Sequence, residues 1–114
     1  MQLLDSATRK QDLTELERAG LVQFFEIAVE LSWKAAKDWL EAQGLQPAGP
    51  RDSLKMAYAS GLIADGHVWL QALHDRNMAT HTYDEASAAQ LEMRIRTTYL
   101  SALHAIVAEL KVRE

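Results

Sequence analysis

Arg76 and His81 stand five positions apart in the stretch Arg76-Asn77-Met78-Ala79-Thr80-His81-Thr82-Tyr83. Arginine carries a permanent planar cation that matches phosphate oxygens. Histidine is the side chain that exchanges a proton near neutral pH. In an RNase the two would divide the work. The histidine would move the proton of a ribose 2′-hydroxyl, and the arginine would stabilise charge building on phosphate. The bland alternative is an ion pair between Arg76 and an acid such as Asp75 or Glu85. Asn77 precedes His81 by one helical turn and could orient the imidazole, or could be an ordinary polar residue at a helix end. On an uninterrupted helix, side chains five positions apart diverge by roughly 140°. Arg76 and His81 therefore converge only if the helix ends between them or a second subunit completes the site.

Other chemistries fit poorly. His67, His74 and His81 recur every seven residues, about 10.5 Å apart along a helix. One zinc ion reaches only about 2 Å to each nitrogen, so no metal site is expected there. The chain contains no cysteine, which excludes thiolate ligands, disulfides and cysteine nucleophiles. There is no Walker loop, no dinucleotide glycine pattern, and no Gly-Ser run followed by paired acids. Trp33, Trp39 and Trp69 read as core or interface residues rather than a base-stacking platform. Glu26 and Glu30 read as a solvated helix edge or an interface, and His104 as a surface residue.

The 114 residues suit one domain over positions 1–114, long enough to bury a core without metals or disulfides. The net charge is −4, so the chain as a whole is no electrostatic binder of nucleic acid. RNA binding would need Arg51, Lys55, Arg76, Arg94 or Arg96 to gather in one cleft; DNA is not an expected partner. No apolar run approaches the roughly 20 residues that span a bilayer, and positions 1–12 lack a signal-peptide core. A cytoplasmic location is the expectation.

The elements that must position Arg76 read as helices. Asp12, with Glu15 three residues on, is a capping-box start. Leu21, Phe24, Ala28, Leu31 and Ala35 form one apolar row. Val22, Phe25, Val29, Trp33, Ala36 and Leu40 form a second, and two rows suit a helix central to a bundle. Glu30 and Lys34 form a favourable pair one turn apart. Gly44 is placed to end this helix. Pro50 suits the first position of the next, with Leu54, Ala57 and Tyr58 facing inward and Gly61 as its stop. Asp65 caps a third, with Trp69, Ala72, Leu73 and Arg76 on one side. Thr82 with Glu85 is a capping-box candidate for the last, which carries Ala88, Leu91, Ile95, Tyr99, Ala102, Leu103, Ile106 and Leu110 in register. The expected fold is all-α, an antiparallel bundle of four to five helices.

Four segments, in order and spacing, resemble the nucleotidyltransferase substrate-binding family of the HEPN superfamily. They are Leu21 to Glu26 with Glu30-Leu31-Ser32-Trp33-Lys34; Pro50-Arg51-Asp52 with Ala57 to Ile63; Val68-Trp69-Leu70 before Asp75-Arg76-Asn77; and Thr80 to Asp84. The resemblance spans roughly residues 16–110. It departs in two places. The first helix, represented only by Met1 to Lys10, is short, so the bundle lacks a helix or borrows cover from a partner. Phe24 stands where arginine is common.

The resemblance implies a HEPN-like bundle that forms homodimers. It implies a minimal nucleotidyltransferase as partner, which would use ATP or another nucleotide with a divalent metal; this chain itself would need no cofactor. In related HEPN proteins Arg-x4-6-His is a metal-independent RNase site within a toxin–antitoxin pair, which maps here to Arg76 and His81. In some pairs the partner attaches AMP to a tyrosine two residues past the histidine, which here is Tyr83. Two functions follow: a non-catalytic subunit that docks the transferase and its nucleotide or substrate, or an RNase silenced by modification of Tyr83. A helical dimerisation module without activity is the third.

Overall fold

A computed structural model describes residues 2–9, 12–79 and 84–114, and every regular element among them is helical. His81 and Tyr83, with Thr80 and Thr82, lie outside the described residues. The elements are α1 (Gln2–Arg9), α2 (Glu15–Ala42), α3 (Pro50–Ala59), α4 (Gly66–Ala79), α5 (Glu85–Arg94), a π-helical turn (Ile95–Tyr99) and α6 (Leu100–Val112). The last three run end to end as one rod. The five helical rods form the expected all-α bundle.

The 28-residue α2 is the spine, packed by α1, α3, α4, α5 and α6. Its start differs from the expectation by two residues. Thr14, not Asp12, is the N-cap: its hydroxyl accepts from the Glu17 N–H at 3.1 Å, and the Glu17 carboxylate accepts from the Thr14 N–H at 3.0 Å. This reciprocal pair satisfies two donors that a helix start leaves open. Asp12 merely precedes it. At the other end Gly44 adopts φ +89°, the left-handed conformation that closes a helix at little cost only for glycine. Of the two apolar rows, Leu21, Val22, Phe25, Val29, Ala36 and Leu40 are fully buried. Leu31, assigned to the inner row, is instead 62% exposed. The short α1 supplies real cover, burying Leu4 to 1% against α2.

Pro50 opens α3, Gly61 (φ +76°) closes it, and Leu54 and Ala57 point inward, as expected. Tyr58 does not: it is 56% exposed. Asp65 accepts from the His67 and Val68 N–H groups at 3.0 and 3.2 Å, so it caps α4. The cap of α5 is Asp84, which accepts from the Ser87 N–H at 2.8 Å, rather than Thr82.

The final rod solves a spacing problem. Leu91, Ile95, Tyr99 and Leu103 recur every four residues, and all are buried. On a regular α-helix each four-residue step overshoots a full turn by about 40°, so the row would wind away from the core. The wider π turn at 95–99 takes up that excess and returns Leu103 and Ile106 to the inner face. Tyr99 is thereby held 1% exposed, its ring stacked on Phe25 with centroids 5.3 Å apart.

Candidate functional site at the end of helix α4

Arg76 sits in the last turn of α4, half-buried. Its Nη2 lies 2.9 Å from Glu30 Oε2 on α2, and its Nη1 donates to Asn77 Oδ1 at 3.0 Å. The ion pair joins neither Asp75 nor Glu85, and Glu30 is not the free helix edge that its sequence setting suggests. Glu30 is itself well supported. Trp33 Nε1 donates to its Oε2 at 2.9 Å, and Lys34 Nζ lies 3.2 Å from Oε1. The Trp33 hydrogen bond, then Lys34 and Arg76, hold the Glu30 carboxyl below the usual glutamate value despite some burial. One turn earlier Glu26 is shifted the other way, pushed up by burial and only partly restrained by the charge of Arg76. The Arg76 Nε–H is buried and finds no acceptor among the described residues. An unsatisfied donor on a guanidinium is costly in a closed protein, and it is a ready contact for an incoming oxygen anion.

Asp75, the preceding residue, is fixed from the opposite side. Its Oδ2 accepts from Arg94 Nε at 2.7 Å and from the Tyr99 hydroxyl at 2.5 Å. The hydrogen bond to Asp75 and its charge hold the Arg94 pKa up. Burial first, then Asp75, pushes the Tyr99 phenol well above its ordinary range, so it stays a donor. Consecutive residues of α4 are thus clamped to different elements, Arg76 to α2 and Asp75 to the α5–π segment. Asp75, Tyr99 and Glu30 escaped the sequence reading as site residues, and Arg94 entered it only as one of the cations that RNA would need gathered. Only the Arg94-x4-Tyr99 spacing, matched to a π turn, hinted at a shared direction.

α4 is helical through Ala79, and Asp84 is extended (φ −128°, ψ 166°) before α5 begins. His81 and Tyr83 fall between these two helices in sequence and lie outside the described residues. Asn77 is exposed and bonded to Arg76. Among the described residues no group of three or more histidines and carboxylates is placed to hold a metal ion. Trp69 is core at 3% exposed, and Trp39 lies under Arg113, 4.9 Å from ring centroid to guanidinium carbon. His104 is half-exposed and pairs with Asp5 at 2.8 Å. No helix among the described residues is long and apolar enough to cross a membrane.

The chain is similar to known proteins in fold and in sequence. A solved structure of a protein from Thermus thermophilus superposes with a TM-score of 0.85 at 29% identity, covering 94% of this chain and 92% of that one. A probable ribonuclease HepT of Haemophilus influenzae is 34% identical over 82 residues, 68% of this chain. The match covers 56% of that protein, so the chain spans little more than half the length of this relative. Residues 1–112 match the family described as "nucleotidyltransferase substrate binding protein like", and the chain belongs to that family.

Proposed function

We propose that the chain is the helical subunit of a two-component, toxin–antitoxin-like module, which docks a minimal nucleotidyltransferase and presents a substrate to it at the end of α4. The observation that carries this reading is the clamped helix end. Asp75 and Arg76 are held by α2 and by the α5–π segment, and the segment with His81 and Tyr83 starts directly after it. A helix end held from two sides suits delivery of a nearby residue into another protein's active site. Tyr83 is the acceptor. Its oxygen attacks the α-phosphorus of ATP, the bond to pyrophosphate breaks, and the phenolic proton passes to a base of the partner. The nucleotide and its divalent metal belong to that partner. Both subunits act in the cytoplasm, where ATP is supplied.

The test is intact-mass spectrometry after incubation with the partner, ATP and magnesium. A mass gain of one AMP that disappears in Tyr83→Phe is expected. An unchanged mass, or an adduct that survives in Tyr83→Phe, overturns the reading.

A second reading, a metal-independent RNase, is favoured by the unsatisfied Arg76 Nε–H and by the name of the Haemophilus relative. His81 takes the 2′-hydroxyl proton, the 2′-oxygen attacks the adjacent phosphorus, and the 5′-oxygen leaves. Arg76 stabilises the charge on the phosphate. Cleavage of RNA in the presence of a chelator, lost in Arg76→Ala and His81→Ala, is the expected result. No cleavage by wild type overturns it. AMP on Tyr83 would set a phosphate beside Arg76 and compete with RNA for it.

A further inference from the structure

The arginines that flank the candidate site are engaged by carboxylates. Arg18 meets Glu85 and Glu92, Arg76 meets Glu30, Arg94 meets Asp75, and Arg96 meets Glu92. Arg51 and Lys55 differ. Both are exposed on α3, one turn apart, and neither joins an ion pair among the described residues.

They line one groove between α3 and α4. Its first part, about 460 Å³, runs past Arg51, His74 and Asn77; its second, about 480 Å³, runs past Lys55, Tyr58 and His67. The two parts meet at Leu70. The groove ends at Asn77, the residue beside Arg76. Its two carboxylates each accept from backbone N–H groups. Asp52 accepts from the Ala48 N–H at 2.8 Å, and Asp65 caps α4, where the positive helix end offsets its charge. Tyr58 leaves its ring in this groove, 56% exposed. A methyl group on Gly66 would come within 3.3 Å of that ring, so glycine lets the α4 backbone brace it closely.

We propose that the groove between α3 and α4 is a track for single-stranded RNA, with Arg51 and Lys55 on its phosphates and Tyr58 stacked on a base, leading the strand to Arg76. This rests on the RNase reading above. Unpaired cations one helical turn apart, about 6 Å along the axis, suit consecutive phosphates of an extended strand. An exposed aromatic beside them suits an unpaired base, which duplex RNA does not offer. The net charge of the whole chain is then no objection, because binding depends on the few cations free to meet phosphate.

The test uses the full chain and a fluorescently labelled single-stranded oligoribonucleotide of mixed sequence. Binding is followed by anisotropy across a salt series, and cleavage by gel. R51E/K55E should weaken binding about tenfold or more and flatten the log–log salt dependence by roughly 1.4, the share of two phosphate contacts on a single strand. Tyr58→Ala should weaken it about fivefold or more. Both should raise KM for the oligonucleotide and leave kcat unchanged, since neither alters Arg76. Circular dichroism checks the fold, and R51Q/K55Q replaces the reversal if that variant misfolds. Wild type that binds but does not cleave would end the RNase reading and leave the track standing. Cleavage by wild type with unchanged KM and salt slope in the variants would overturn the track alone. Wild type that neither binds nor cleaves overturns both. Unchanged RNA binding with lost capture of the nucleotidyltransferase would make the groove a protein interface and likewise overturn the track.

Discussion

Asp75 and Arg76 are adjacent in sequence yet serve opposite ends of the same task. Arg76 offers a cation with one donor still unmet, while Asp75 spends its carboxylate holding the helix end still. The Tyr99 hydroxyl is the buried half of that second anchor. Tyr99→Phe removes one donor and leaves Asp75 on Arg94, so it should cost about 1–2 kcal/mol. Urea denaturation at neutral pH reads the loss; an unchanged midpoint would mean that the short contact contributes nothing. Arg76 could be singled out in the sequence because a cation and a histidine close together are residue types that could act on phosphate. Its partner could not, because Glu30 lies 46 positions away and only the packing of α2 on α4 brings it near. Asp75 and Tyr99 were hidden for the same reason, compounded by a π turn that apolar periodicity does not reveal.

At the scale of elements, the helix stops were the most legible feature. Gly44 and Gly61 sit at positive φ, where a side chain would be strained, so sequence and geometry leave little choice. Starts were harder. Asp12 and Thr14 both offer capping oxygens with a glutamate three residues on, Glu15 and Glu17, and the reciprocal hydrogen bonds form at Thr14. Faces were legible only on average: Leu31 and Tyr58 match inward periodicity but look outward, because periodicity cannot count the neighbours available to cover them.

What joins the elements beyond apolar contact is a charge network centred on Glu92 of α5. It accepts from Arg18 of α2 and Arg96 of the π turn at 2.7 and 2.9 Å, and Arg96 reaches the Thr8 carbonyl of α1. Burial pushes the Glu92 pKa up, but the two arginines outweigh it and the net shift is downward. A carboxyl whose folded pKa is depressed adds stability above its unfolded value and loses it as pH falls through the folded one. Wild type should therefore melt above Glu92→Gln at pH 7. The gap should close as the pH drops from the ordinary value of 4.5 toward the lower folded value. Melting temperatures across that window check it; a gap independent of pH would show that the network acts through packing rather than charge.

At the scale of the whole molecule, apolar side chains gather on the surface between α1 and α2. Leu3, Ile27 and Leu31 are 65%, 49% and 62% exposed, and they rim a shallow cleft over Phe24 and Ala28 between α1 and α2. Scattered exposed apolar residues need no explanation, but a contiguous group marks an association surface. A second copy of this chain is the natural cover, since a two-fold contact buries the same patch on both sides. Ile27→Asp with Leu31→Asp should give a folded monomer where wild type is a dimer. Those side chains already face water in one copy, so their replacement should cost the isolated fold little. Light scattering at micromolar concentration decides: wild type at monomer mass, or a double variant that remains dimeric, would place the association surface elsewhere or remove it.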